Sequence, residues 1–152
     1  MKTPGKILLI LLLCVSATVS YGQQKIDPRP KLFNDLPEIM KANDAALANA
    51  FNYFEGQNVS VALSNTLTFS GVVLSNEVKY SNLQNIIIKS AVLNNALLSL
   101  SKIINEDKSI TYTGRILNNK AFDGFEIVKD ETGQYNLQKF ENSKILVDCN
   151  YQ

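Results

Sequence analysis

TLTFSGVVLSN (Thr66–Asn76) and SITYTGRILNN (Ser109–Asn119) are two versions of one pattern. Aligned without gaps, Thr68, Gly71, Leu74 and Asn76 recur as Thr111, Gly114, Leu117 and Asn119. Leu67 is replaced by Ile110, Phe69 by Tyr112, Ser70 by Thr113 and Val73 by Ile116, and only Val72 against Arg115 changes character. In both copies β-branched, aromatic and aliphatic residues alternate with small polar ones, the period-two signature of a strand with one buried face. The likeness continues downstream: Ile87–Ser90 recurs as Ile127–Asp130 and Leu98–Ile103 as Tyr135–Phe140, the offset shrinking by three residues at each connection. Surface loops tolerate such shortening. The chain therefore reads as a mainly β fold built on an internal duplication, with repeat-like units over about 66–104 and 109–141.

Alternation assigns faces. Leu67, Phe69, Gly71 and Val73 fall on one side of their strand, as do Ile110, Tyr112, Gly114 and Ile116. Thr68, Ser70, Thr111 and Thr113 face the other way, toward water. A glycine on the core side weakens a strand and is kept where the sheet bends or another backbone comes close; alternatively the two glycines open room for a ligand beside Phe69 and Tyr112.

Strands are expected near 59–63, 66–74, 83–89, 97–104, 109–117, 122–129, 134–140 and 144–149, joined by short Asn-, Asp- and Gly-bearing loops. Such loops make successive strands antiparallel neighbours, because parallel crossovers need a dozen or more residues. The expected class is α+β, mainly β: an antiparallel meander of about eight strands, closed as a barrel or folded as a two-layer sandwich. Ahead of it Leu36, Ile39, Met40, Leu47, Ala50, Phe51 and Phe54 recur at helical spacing, and Asp35 with Glu38 forms a capping-box pair around Pro37. This predicts a helix over 35–54 whose apolar stripe covers the sheet.

Lys2 and Lys6 precede an apolar run from Ile7 to Val15, followed by small and polar residues to Gly22. That is the layout of a secretory signal peptide over residues 1–22, and the run is too short for the ~20 residues that span a bilayer. Residues 23–33, with Pro28 and Pro30, read as an extended linker, and 34–152 as a single domain. The expected location is periplasmic or extracellular, without a permanent membrane anchor. Loss of Lys2 and Lys6 would leave a near-neutral chain and Cys149 as its one cysteine, excluding an intramolecular disulfide. Alternation with Ile145 and Val147 puts Cys149 on an apolar face.

The chain has no histidine, which removes the commonest general base and zinc ligand. No glycine-rich phosphate loop or compact calcium loop is present, so neither cofactor nor metal is expected. Ser99 and Lys102 match a Ser-x-x-Lys pattern, yet on a strand they point to opposite faces. Asp123 with Glu126 and Asp130 with Glu131 are the acid pairs that a histidine-free hydrolase could use. Lysines interleaved with acids give no basic groove for nucleic acid. Asn58–Ser60 is a glycosylation acceptor pattern.

The first reading is an exported, non-enzymatic binding module for a protein or cell-surface component, with Arg115, Tyr112, Thr111 and Thr113 as contacts. Arg115 is also expected to pair with a neighbouring acid. The second is a carrier of a small apolar ligand lined by Phe69 and Tyr112, with the helix as lid; the hydrolase comes last.

Overall fold

The computed structural model describes residues 28–142. The signal peptide, most of the linker, and the closing strand 144–149 with Cys149 lie outside the described residues. Within them the order is β1 (Ile39–Lys41), α1 (Asp44–Ala50), β2 (Asn58–Ala62), β3 (Thr68–Tyr80), β4 (Leu83–Lys89), β5 (Leu97–Ile104), β6 (Ile110–Leu117), β7 (Asp123–Lys129) and β8 (Tyr135–Glu141). All eight strands belong to one antiparallel sheet in the order β1-β8-β7-β6-β5-β4-β3-β2, so β2 through β8 form an uninterrupted meander. A single sheet excludes the sandwich. It is curled into a half-barrel, whose two ends approach where the Asn43 amide donates to the Leu63 carbonyl at 2.8 Å and Met40 meets the hydroxyls of Ser64 and Thr66.

The expected helix is corrected to a short one. Residues 39–41 instead pair with Gln138, Leu137 and Asn136 of β8, and their burial alternates, with Ile39 exposed and Met40 buried. The Asp35 capping box is not used; Asn43 is the cap, its side-chain oxygen accepting from the Ala46 amide. Helical spacing of Leu36, Ile39 and Met40 was outweighed by the unpaired backbone groups along β8, which a strand satisfies and a helix cannot. Of the downstream half of the stripe, Leu47, Ala50 and Phe51 are buried, but Phe54 lies beyond the end of the helix and is 76% exposed.

That face carries Phe69, Val73, Ile86, Ile88, Leu98, Leu100, Ile116, Phe125 and Leu137, each at most 1% exposed. Each such side chain contributes about 1.5–3 kcal/mol through removal from water. The outward–inward assignment of the two aligned strands agrees with this burial, apart from Ile110, which is exposed near the sheet rim. A Cβ on Gly71 would run into the Lys89 carbonyl, and one on Gly114 into the Ser99 carbonyl. Both glycines therefore mark close approach of neighbouring strands as the sheet curls.

The aligned stretches lie on β3 and β6, their continuations on β4 and β7, then β5 and β8, but the pairing registers differ. Gly114 stands opposite Ile127, whereas Val72, next to Gly71, already stands opposite Lys89. The likeness is one of strand order and, for β3 with β6 and β5 with β8, of face. In β4 and β7 the faces are reversed, with Ile88 buried where its counterpart Val128 is exposed, and the registers differ, so the structure does not bear out a duplication. β3 also runs beyond its expected end at Leu74. A bulge between Val73 and Ser75 resets the alternation, after which Asn76 takes the inward position opposite Ile86.

Candidate functional site

The chain joins the domain from Pro30 onward, earlier than the expected boundary. The Pro30 carbonyl accepts from the Phe122 amide, and the Phe33 ring sits edge-on to Phe125 at 5.2 Å. Asp123, 2% exposed, accepts from the amides of Leu32 at 2.6 Å and Phe33 at 3.1 Å. These bonds hold residues 30–38 beside the β6–β8 part of the sheet. Between them lies an open cleft of about 500 Å³ whose walls include Lys31, Glu38, Arg115, Phe122, Glu126 and Phe140.

Each cation at this cleft is seated on an aromatic ring. The Arg115 guanidinium donates through Nε at 3.1 Å and Nη2 at 2.8 Å to Glu126 Oε1, and lies 6.0 Å from the Phe140 ring centre. Lys31 Nζ is 5.7 Å from the centre of Phe122. Lys139 Nζ donates to the Leu36 carbonyl at 2.7 Å and to Glu38 Oε1 at 3.1 Å, and lies 5.9 Å from Phe125. The Lys139 side chain is 9% exposed while that of Glu38 is 80% exposed, so the acid is the part of this pair that water and any partner meet. The cleft thus offers paired charges and ring surfaces, a chemistry of hydrogen bonding and stacking.

The five sequence-predicted contacts divide between two faces. Thr111, Thr113 and Arg115 share the outward face of β6, and Arg115 has the acid partner expected of it in Glu126. Thr111 accepts from the Asn105 side-chain amide at 2.9 Å. Tyr112 points the other way: it stacks on Phe51 at 6.0 Å, meets Tyr135 at 5.8 Å, and its amide donates to the Tyr135 hydroxyl at 3.0 Å. Burial first, then Tyr135 and Asp44, raises the Tyr112 phenol above its ordinary value. Phe69 is fully buried, one strand system away. Tyr112 and Phe69 therefore do not share a contact surface with Arg115, and Tyr112 faces Phe51, the cap residue at the end of α1.

Of the acids singled out for hydrolysis, Asp123 and Asp130 hold backbone and Glu126 pairs with Arg115. Asp123 and Glu126 lie on opposite faces of β7, Asp123 buried and Glu126 half-buried. Asp130 accepts from the Thr132 hydroxyl and amide, the Gln134 amide and the Asn136 side chain, closing the β7–β8 turn. Those bonds, the Thr132 hydroxyl first, lower its carboxyl from the ordinary value. Among the described residues no cluster of three or more acids or cysteines could hold a metal ion. Nor is any described helix long and apolar enough to cross a membrane. Asn58 is exposed on β2.

Lys139, Phe122 and Phe140 were not among the expected contacts. The signal for Lys139 is its place in the alternation of Tyr135 and Leu137, which sets a lysine on the apolar side of β8. Phe122 and Phe140 become neighbours of the cations only through pairing of β6, β7 and β8. No protein-family model matches the chain, and no curated protein or solved structure is significantly similar to it.

Proposed function

We propose that this is an exported, non-enzymatic binding module that engages a protein or cell-surface component through the cleft beside Arg115. The observation that carries the reading is the arrangement of Arg115 between Glu126 and Phe140, with Lys31 on Phe122 in the same cleft. A guanidinium held by one carboxylate oxygen and a ring keeps its position while retaining donors for a partner. The absence of histidine and the structural employment of Asp123 and Asp130 support a role without chemistry. Export rests on the charged and apolar leader of residues 1–22.

The test is site-specific photo-crosslinking in the producing cell, with the reactive residue at Thr113 beside the cleft or at Phe54, exposed on the α1–β2 loop. A discrete adduct is expected at Thr113 and not at Phe54, and Arg115→Glu should abolish it. Equal adducts at both positions, or none at Thr113, would discard the cleft as the contact. A small apolar molecule that co-purifies in native mass spectrometry would replace this reading with the carrier.

A further inference from the structure

We propose that the outer edge of β2 pairs antiparallel with the same edge of a second copy of this chain. The ladder between β2 and β3 fixes which backbone groups point outward. The Val73 amide donates to the Gln57 carbonyl, while the Gln57 amide turns back to Phe54; continuing the ladder from that carbonyl, Val59 and Val61 direct their N–H and C=O groups toward β3. By alternation those of Asn58, Ser60 and Ala62 point away from the sheet. All three residues are exposed, and no described backbone group bonds to them.

Two features select a copy of the chain as occupant. The first is charge. From Gly56 to Asn76 the sequence carries no charged residue, a run that contains β2 and most of β3 and is bounded by Glu55 and Glu77. Two such edges meet without like-charge repulsion, and nothing there selects a basic or acidic partner. The second is symmetry. Antiparallel pairing about Ser60 sets Asn58 against the partner's Ala62 and each Ser60 against the partner's Ser60, so every outward group finds its complement in the same sequence. Such an isologous contact closes on itself as a dimer and uses up the β2 edge of both copies.

The opposite edge shows what protection looks like. β1 has only three residues, is preceded by Pro37 and Glu38, and ends on exposed Lys41. Proline and charge on a short edge strand are the usual barriers to edge pairing. β2 has neither, and its five residues present a longer template.

The experiment is sedimentation equilibrium on the protein purified from its producing cell, with hydrogen exchange of the same samples. A reversible dimer is expected, with the Asn58, Ser60 and Ala62 amides slowing in exchange as concentration rises. Ser60→Pro removes an outward N–H that the sheet itself does not use. It should weaken dimerisation at least tenfold, and Ser60→Lys should do the same by charge if the proline variant fails to fold. A wild-type chain that stays monomeric at millimolar concentration overturns the proposal. So does a dimer that survives Ser60→Lys with its thermal unfolding midpoint unchanged.

Discussion

The two ends of this sheet are held by different forces. At the β2–β3 end no charged side chain intervenes from Gly56 to Asn76, and order comes from the buried Val61, Phe69 and Val73 and from backbone ladders, with one neutral tie from the Asn76 side chain to the Phe51 and Tyr53 carbonyls. At the β6–β8 end the chain is tied by polar side chains that reach across the sequence: Asp123 to Leu32 and Phe33, Lys139 to Leu36, Asn142 to Asn118 and Ala121. The difference follows from what each end must hold. A hairpin carries its own partner strand, whereas the incoming segment 30–38 brings backbone groups that need acceptors and donors from elsewhere. The apolar end should respond to loss of volume and ignore salt and pH; the polar end should respond to loss of single hydrogen-bonding groups.

The largest effect is expected from Phe69→Ala. Removing a fully buried ring should cost about 3–5 kcal/mol in denaturant unfolding, the same at low and high salt. A loss that varied with ionic strength would break the contrast between the ends. Next is Asp123→Ala, which strips acceptors from the amides of Leu32 and Phe33. About 3 kcal/mol is expected, because one part-buried and one buried amide lose their acceptor. Hydrogen exchange should show those amides opening while β2 and β3 stay protected; continued protection would mean that Phe33 packing alone holds the segment.

The same contrast explains what could be read from sequence. Strands β2 through β8 were legible because alternation and short loops are local signals, and the burial of Phe69, Val73 and Ile116 follows from it directly. β1 was not legible: three residues cannot establish a period, and the decisive partner, Leu137, lies far along the chain. Nor was the cleft, since Arg115, Phe122, Glu126 and Phe140 come together through lateral pairing of three strands. Only the acid partner of Arg115 could be expected, as a residue type without a number. The outward run of Thr111, Thr113 and Arg115 was visible, but Tyr112 was grouped with it although alternation already put it on the opposite face.

A smaller effect should come from the Arg115–Glu126 pair. Both side chains are more than a third exposed, so a double-mutant cycle with Arg115→Ala and Glu126→Ala should return only about 0.2–1 kcal/mol, falling toward zero at 1 M salt. A salt-resistant coupling well above that range would mean that Phe140 shields the pair from water, moving part of the polar end into the behaviour of the apolar one.

The smallest effect concerns acid. Asp130 is fully exposed, and its folded carboxyl titrates below the ordinary value of 3.8 because of the Thr132, Asn136 and Gln134 hydrogen bonds. A depressed carboxyl contributes stability that is present above the unfolded value and is lost as pH falls through the folded one. Wild-type protein should therefore lose more thermal stability than Asp130→Asn as pH drops from about 5 to below 3.8, the charge-borne difference between them being constant above that window. The variant cannot titrate and keeps an amide oxygen for Thr132, so the difference isolates the charge from the turn geometry. Parallel acid limbs for the two proteins would show that the turn is held by its backbone bonds, such as that from the Gly133 amide to the Asp130 carbonyl, and that the polar end owes its order to neutral hydrogen bonds rather than ionised ones.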